Sequence, residues 1–116
     1  MRKKVKHTGK HLIVNIYKCG KMPNHTELYK FLEKLVKLVK MNALTKPYIV
    51  EGAEYNPGIT GFVIIETSHI SVHTFETKKF IALDIYSCMP FNHKLILNEI
   101  KKEFNTKDLE YTIIKR

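Results

Sequence analysis

Apolar and polar positions alternate with two different periods along the chain, and the switches between them mark out eight elements. From His11 to Tyr17, Leu12, Val14 and Ile16 fall on one side and His11, Ile13 and Asn15 on the other, as in a strand. Gly20 and Pro23 end it. Asn24, followed three places on by Glu27, is a capping-box start, and Leu28, Phe31, Leu32, Leu35, Leu38 and Val39 recur at helical spacing. The other side of this helix carries Lys30, Lys34, Lys37 and Lys40, the composition of a solvated face. Tyr48 to Glu51 reads as a short strand, and Gly52, Asn56, Pro57 and Gly58 mark an irregular loop. Gly61 to Glu66 is a continuous apolar run suited to a central strand buried on both faces, whereas Ile70 to Phe75 and Phe80 to Ser87 alternate. Asn92 starts a second helix with the apolar stripe Ile96, Leu97, Ile100 and Phe104, and Leu109 to Ile114 returns as a strand. The order β-α-β-β-β-β-α-β predicts one α+β domain over residues 1–116: a two-layer sandwich of a mainly antiparallel sheet with two helices on one face.

The central hairpin tests its own register. A turn over residues 76–79 pairs Phe75 with Phe80, Val72 with Leu83 and Ile70 with Ile85, which collects Ile70, Val72, Ile81, Leu83 and Ile85 on one face. The other face collects Ser71, His73, Phe75, Asp84, Tyr86 and Cys88. Helices cover only one side of such a sheet, so this chemically richer side is left for solvent, a partner or a site. Cys88 falls opposite Thr67, which brings its sulfur towards Ser68. His73 lies five residues along the strand from Ser68, roughly 16 Å when extended. A shared site therefore requires a sharp bend or a histidine from a second subunit, and a two-fold dimer would supply it twice.

Composition narrows the picture further. The 116 residues carry 20 Lys+Arg against 11 Asp+Glu, a net charge of +9, which raises the question of a nucleic-acid partner. No nucleic-acid-binding signature accompanies the charge, and lysine excess also serves solubility. The longest aliphatic and aromatic run, Phe62 to Ile65, is far short of the ~20 residues that span a membrane. Arg2, Lys3 and Lys4 are followed by a mostly charged and polar stretch through Lys10 rather than by a signal-peptide core. Cys19 and Cys88 fit no zinc spacing and no disulfide scaffold, which points to free thiols in a reducing cytoplasm and gives no metal site.

The stretch from Thr60 to Phe75, with its Ser68-His69-Ile70-Ser71-Val72-His73-Thr74 core, and Ala82 to Cys88 after it, resembles the prokaryotic S-adenosylmethionine decarboxylase proenzyme family. Gly9-Lys10-His11-Leu12, with Tyr17 and Cys19, resembles that family's first strand. The resemblance implies a precursor that cuts itself between residues 67 and 68 and converts Ser68 into a covalent pyruvoyl group, the electron sink for decarboxylation of a bound amine. It assigns Ser68 as nucleophile and pyruvoyl source, His73 as acid/base in processing and Cys88 as the thiol that returns a proton to the decarboxylated carbon. Thr60 and Thr67 stand at positions that assist processing, and Phe75 and Glu76 at positions that hold substrate. The implied substrate is a small molecule with a primary amine and a carboxylate, S-adenosylmethionine feeding spermidine synthesis, and the implied assembly is a homodimer with sites shared between subunits. Taken singly, a serine at a turn, a strand histidine and a lone cysteine are ordinary structural residues. Their joint spacing on one hairpin is not.

The sequence departs from the family pattern at a few places. Thr67 stands where glutamate is usual before the serine, Phe75 where tryptophan is usual, Glu76-Thr77 where Pro-Glu is usual, and Asn15 where an acid is common. Decarboxylation of arginine or ornithine by the same group is therefore the alternative to S-adenosylmethionine. A basic nucleic-acid-binding module without catalysis is a distant third.

Overall fold

Six strands and two helices form along residues 9–116, the part of the chain that the computed structural model describes; the basic opening at residues 2–4 lies outside it. In chain order they are β1 (Lys10–Ile16), α1 (His25–Leu38), β2 (Tyr48–Glu51), β3 (Ile59–Ile65), β4 (Ser68–Phe75), β5 (Phe80–Ser87), α2 (His93–Glu103) and β6 (Leu109–Lys115). This is the α+β order that the periodicity predicts. Asn24 caps α1: its side chain accepts the Glu27 N–H at 2.8 Å, and the Glu27 carboxylate accepts the Asn24 N–H at 3.0 Å. Lys21, 2.7 Å from Glu27, and this amide together hold the carboxyl below its ordinary range.

The strands make one antiparallel sheet in the order β2-β3-β4-β5-β1-β6. Phe75 pairs with Phe80, Val72 with Leu83 and Ile70 with Ile85, the expected register. A short 3-10 turn at Glu76–Lys78, closed by Lys79 with φ +53°, connects them. Leu12, Val14, Val63, Ile70, Val72, Leu83 and Ile85 are buried against Leu28, Phe31, Leu32, Leu35, Ile96 and Ile100 of the helices, which therefore cover the same face. Phe31 of α1 meets Phe104, just beyond α2, edge to face at 4.9 Å. Gly61 lets α1 approach β3: a Cβ there would stand 2.7 Å from Leu32 Cδ1.

The strand expected to be buried on both faces is not. In β3, Val63 and Ile65 are buried, but Phe62 and Ile64 remain 39% and 41% exposed. The reason is architectural, since no second layer covers that face of the sheet among the described residues.

Two connections shape the ends of β4. The β3–β4 hairpin turns in two residues, Glu66 and Thr67, between the paired Ile65 and Ser68, and Glu66 takes φ +47°. Left-handed backbone at a side chain that is neither Gly nor Asn stores strain at the turn. At the other end of β4, Gly58 (φ +154°) lies so close that an added Cβ would overlap the Thr74 carbonyl oxygen. Thr74 Oγ1 accepts the Ile59 N–H at 2.7 Å, and the Pro57 carbonyl accepts the Glu76 N–H at 3.0 Å. These bonds fold the 52–58 loop over the end of β4.

Candidate active site

The predicted site residues fall into two groups at opposite ends of β4. At the first end, Ser68 begins β4 directly after the strained turn and is buried on the helix side. Its Oγ accepts the Cys88 backbone N–H at 2.9 Å. The Thr67 hydroxyl donates to Cys88 Sγ at 2.7 Å. Cys88 thus grips both residues flanking the Thr67–Ser68 peptide bond, one through its amide and the other through its sulfur. The Glu66 carboxylate accepts the Asn42 N–H at 2.9 Å, which anchors the turn to the preceding loop.

At the other end, Thr60 pairs with His73 across β3 and β4, and Thr60 Oγ1 and His73 Nδ1 share a hydrogen bond of 2.9 Å on the uncovered face. A cavity of about 120 Å³ opens beside them, lined by His73, Phe75, Thr60, Tyr55 and neighbouring residues of the 52–58 loop. Phe75 is fixed by Phe80, with ring centres 5.4 Å apart. Tyr55 is almost fully exposed at the rim. Glu76 is not brought to this cavity; it borders another of about 380 Å³, with Asn24, Glu51 and Glu54. Since β4 runs unbroken from Ser68 to Phe75, His73 stays roughly 16 Å from Ser68 within one chain.

Two features were not legible in the residue pattern. The left-handed Glu66 and the Cys88 amide are backbone groups, for which side-chain periodicity gives no signal. Tyr55 had one: an aromatic beside Asn56-Pro57-Gly58, in a loop where packing does not require a ring. Among the described residues, no three His, Cys, Asp or Glu side chains are placed to hold a metal ion. No helix there is long and apolar enough to cross a membrane. Both cysteines are free, and burial pushes the Cys19 thiol up to about 11, so Cys19 is inert.

The middle of the uncovered face carries titratable groups. His69 lies between Phe62 and Tyr86, at 5.8 and 5.7 Å between ring centres. Burial lowers its pKa; His11 and Arg116 push the same way, and Asp84 opposes them. His11 Nε2 is buried without a hydrogen bond, 3.9 Å from Asp84 Oδ1. The folded form thus favours neutral His69, while the unfolded chain takes up its proton near the ordinary value of about 6.5. His93, lowered by burial and then by Lys10, acts in the same sense. Stability is therefore complete above that value and falls as the pH drops through it. The urea midpoint is expected to decrease between about pH 7.5 and 5.5, and His69→Gln should flatten the decrease. An unchanged slope in that variant would refute the assignment.

A six-stranded antiparallel sheet with two helices on one face is a two-layer α+β sandwich, and the fold has a solved counterpart. The crystal structure of the adenosylmethionine decarboxylase from Aquifex aeolicus matches it with a TM-score of 0.78 at 23% identity, over 97% of this chain and 92% of that one. The S-adenosylmethionine decarboxylase proenzyme of Clostridium kluyveri is 32% identical over 93% of this chain and 86% of its own length. That of Clostridium botulinum is 27% identical over 97% of both. The chain belongs to the S-adenosylmethionine decarboxylase family, whose model it matches over residues 10–116.

Proposed function

We propose that the chain is the precursor of a self-processing S-adenosylmethionine decarboxylase, cut between Thr67 and Ser68 to leave a pyruvoyl group on the new amino terminus. The observation that carries this reading is the grip of Cys88 on both sides of the Thr67–Ser68 bond, immediately after the left-handed Glu66. In the first step Ser68 Oγ adds to the Thr67 carbonyl carbon. The C–N bond breaks as the nitrogen takes the hydroxyl proton, which leaves an ester and relieves strain at the turn. The Cys88 N–H holds Ser68 Oγ in place for the attack and stabilises the negative charge this oxygen takes on when it later departs. A base then removes the Ser68 α-proton and the ester oxygen departs as the Thr67 carboxylate. Water adds to the dehydroalanine left behind, and ammonia leaves.

The base is His73, with Thr60 hydrogen-bonded to its Nδ1. Because it stands at the far end of β4, it is supplied by the second copy of a homodimer that covers the open sheet face. Supporting this, that face exposes Phe62, Ile64, Tyr48, Val50 and Ile114, an apolar set unusual for a solvated surface. The finished pyruvoyl group supplies an electron sink for loss of carbon dioxide from a bound α-amino acid. Cys88, beside it, holds the proton returned to the decarboxylated carbon, and Phe75 and Tyr55 offer flat rings to a nucleoside.

The test is carbon dioxide release from carboxyl-labelled S-adenosylmethionine, arginine or ornithine, each supplied separately. Release from S-adenosylmethionine alone is expected. Release only from an amino acid would overturn the substrate.

A further inference from the structure

We propose that Ser87 is the positioning residue for self-cleavage, acting through Cys88; this rests on the self-processing reading of the Thr67–Ser68 bond. Ser87 closes β5 and is 0% exposed, facing the helices. The β4–β5 pairing runs from Phe75↔Phe80 to His69↔Tyr86, and one further step sets Ser87 opposite Ser68. Both are buried hydroxyls on the same face, yet they do not bond to each other. Ser87 Oγ instead turns along its own chain, donating to the Met89 carbonyl at 2.7 Å and accepting the Met89 N–H at 3.1 Å. Met41 Sδ lies 3.2 Å away, but a hydroxyl has one proton and a thioether is a weak acceptor, so the Met89 carbonyl takes it.

The consequence falls on the residue between. With Ser87 and Met89 tied together, the backbone at Cys88 is fixed where the ladder has ended, its N–H aimed at Ser68 Oγ and its sulfur at Thr67 Oγ1. Apart from the bond to Ser68 itself, no other side-chain hydrogen bond among the described residues fixes the 87–89 backbone. Removing the Ser87 hydroxyl releases both polar groups of Met89 from the strand and frees Cys88 to turn. Ser68 would then lose the donor that steadies its oxygen as it attacks.

The test follows cleavage of freshly produced precursor by intact mass, with near-ultraviolet circular dichroism to confirm folding. Ser87→Ala is expected to slow the appearance of the two fragments by about tenfold or more, the rate equivalent of one hydrogen bond. Ser87→Cys, which fills the same space with a feeble hydrogen-bonding group, should be similarly slow and serves if the alanine variant does not fold. Ser87→Thr, which keeps the hydroxyl, should return to within about threefold of the parent. Ile85→Val, which loosens the same strand without touching the turn, should cleave at the parent rate. Parent-like cleavage in Ser87→Ala or Ser87→Cys would overturn the proposal, as would a Ser87→Thr variant as slow as the alanine one. A parent chain that never cleaves would instead overturn the self-processing reading, so the two failures are separable.

Discussion

Ser68→Ala is expected to leave a single full-length polypeptide where the parent gives two fragments, with cleavage reduced more than about a thousandfold, as for removal of other nucleophiles. What decides this is which atom can reach the Thr67 carbonyl. Only the Ser68 hydroxyl is joined to the scissile nitrogen through two carbons, which makes attack a five-membered ring closure. The Thr67 hydroxyl is engaged with Cys88 Sγ. Alanine removes the nucleophile and leaves the hairpin otherwise intact. The Cys88 N–H loses its acceptor, which costs about 1 kcal/mol and is too little to unfold a domain with this core. Intact mass under denaturing conditions gives the answer directly. Cleavage of Ser68→Ala at the same bond would mean that another group attacks, and the proposed chemistry would fail.

The second large effect concerns His73. Ser68→Ala and His73→Ala precursors are each expected to remain uncut when made separately, the histidine variant slowed by about a hundredfold or more. Produced together, they should form mixed dimers in which the His73→Ala chain is cut. That chain still carries Ser68, and the partner subunit's His73 serves it. The fragments should come only from that polypeptide, which its mass identifies. The expectation rests on β4, which is unbroken and cannot fold His73 back onto Ser68 of the same chain. An absence of cutting in the mixture would eliminate the shared site.

The sequence conveyed most of the architecture because its two periods are clean. The alternation in Ile70–Phe75 and Phe80–Ser87 sets a register in which a slip of one residue would drive Ile70, Val72, Leu83 and Ile85 into water, so only one pairing survives. The helix starts were legible because Asn24 and Glu27 satisfy each other's amides. The run at Phe62–Ile65 misled, since the hydrophobicity of a strand does not say which of its faces the fold covers. At the site, Thr67 and Cys88 could be set side by side by register alone, whereas the meeting of Thr60 with His73 across β3 and β4 emerged only from the structure. The amide of Cys88, the φ of Glu66 and the turn-closing hydroxyl of Ser87 lay beyond reach. Each is a matter of backbone direction where the ladder stops, and no side-chain pattern encodes it.

The strand order has a final consequence for the proposed cut. Severing the chain after Thr67 gives one piece that carries β1, β2 and β3 and another that carries β4, β5 and β6. In the sheet these do not sit side by side as halves, because β1 lies clasped between β5 and β6 of the other piece. The severed polypeptides are thus dovetailed. They should travel together through any native purification and come apart only when the whole sheet melts, so a gel run without denaturant would never betray that the backbone had been broken.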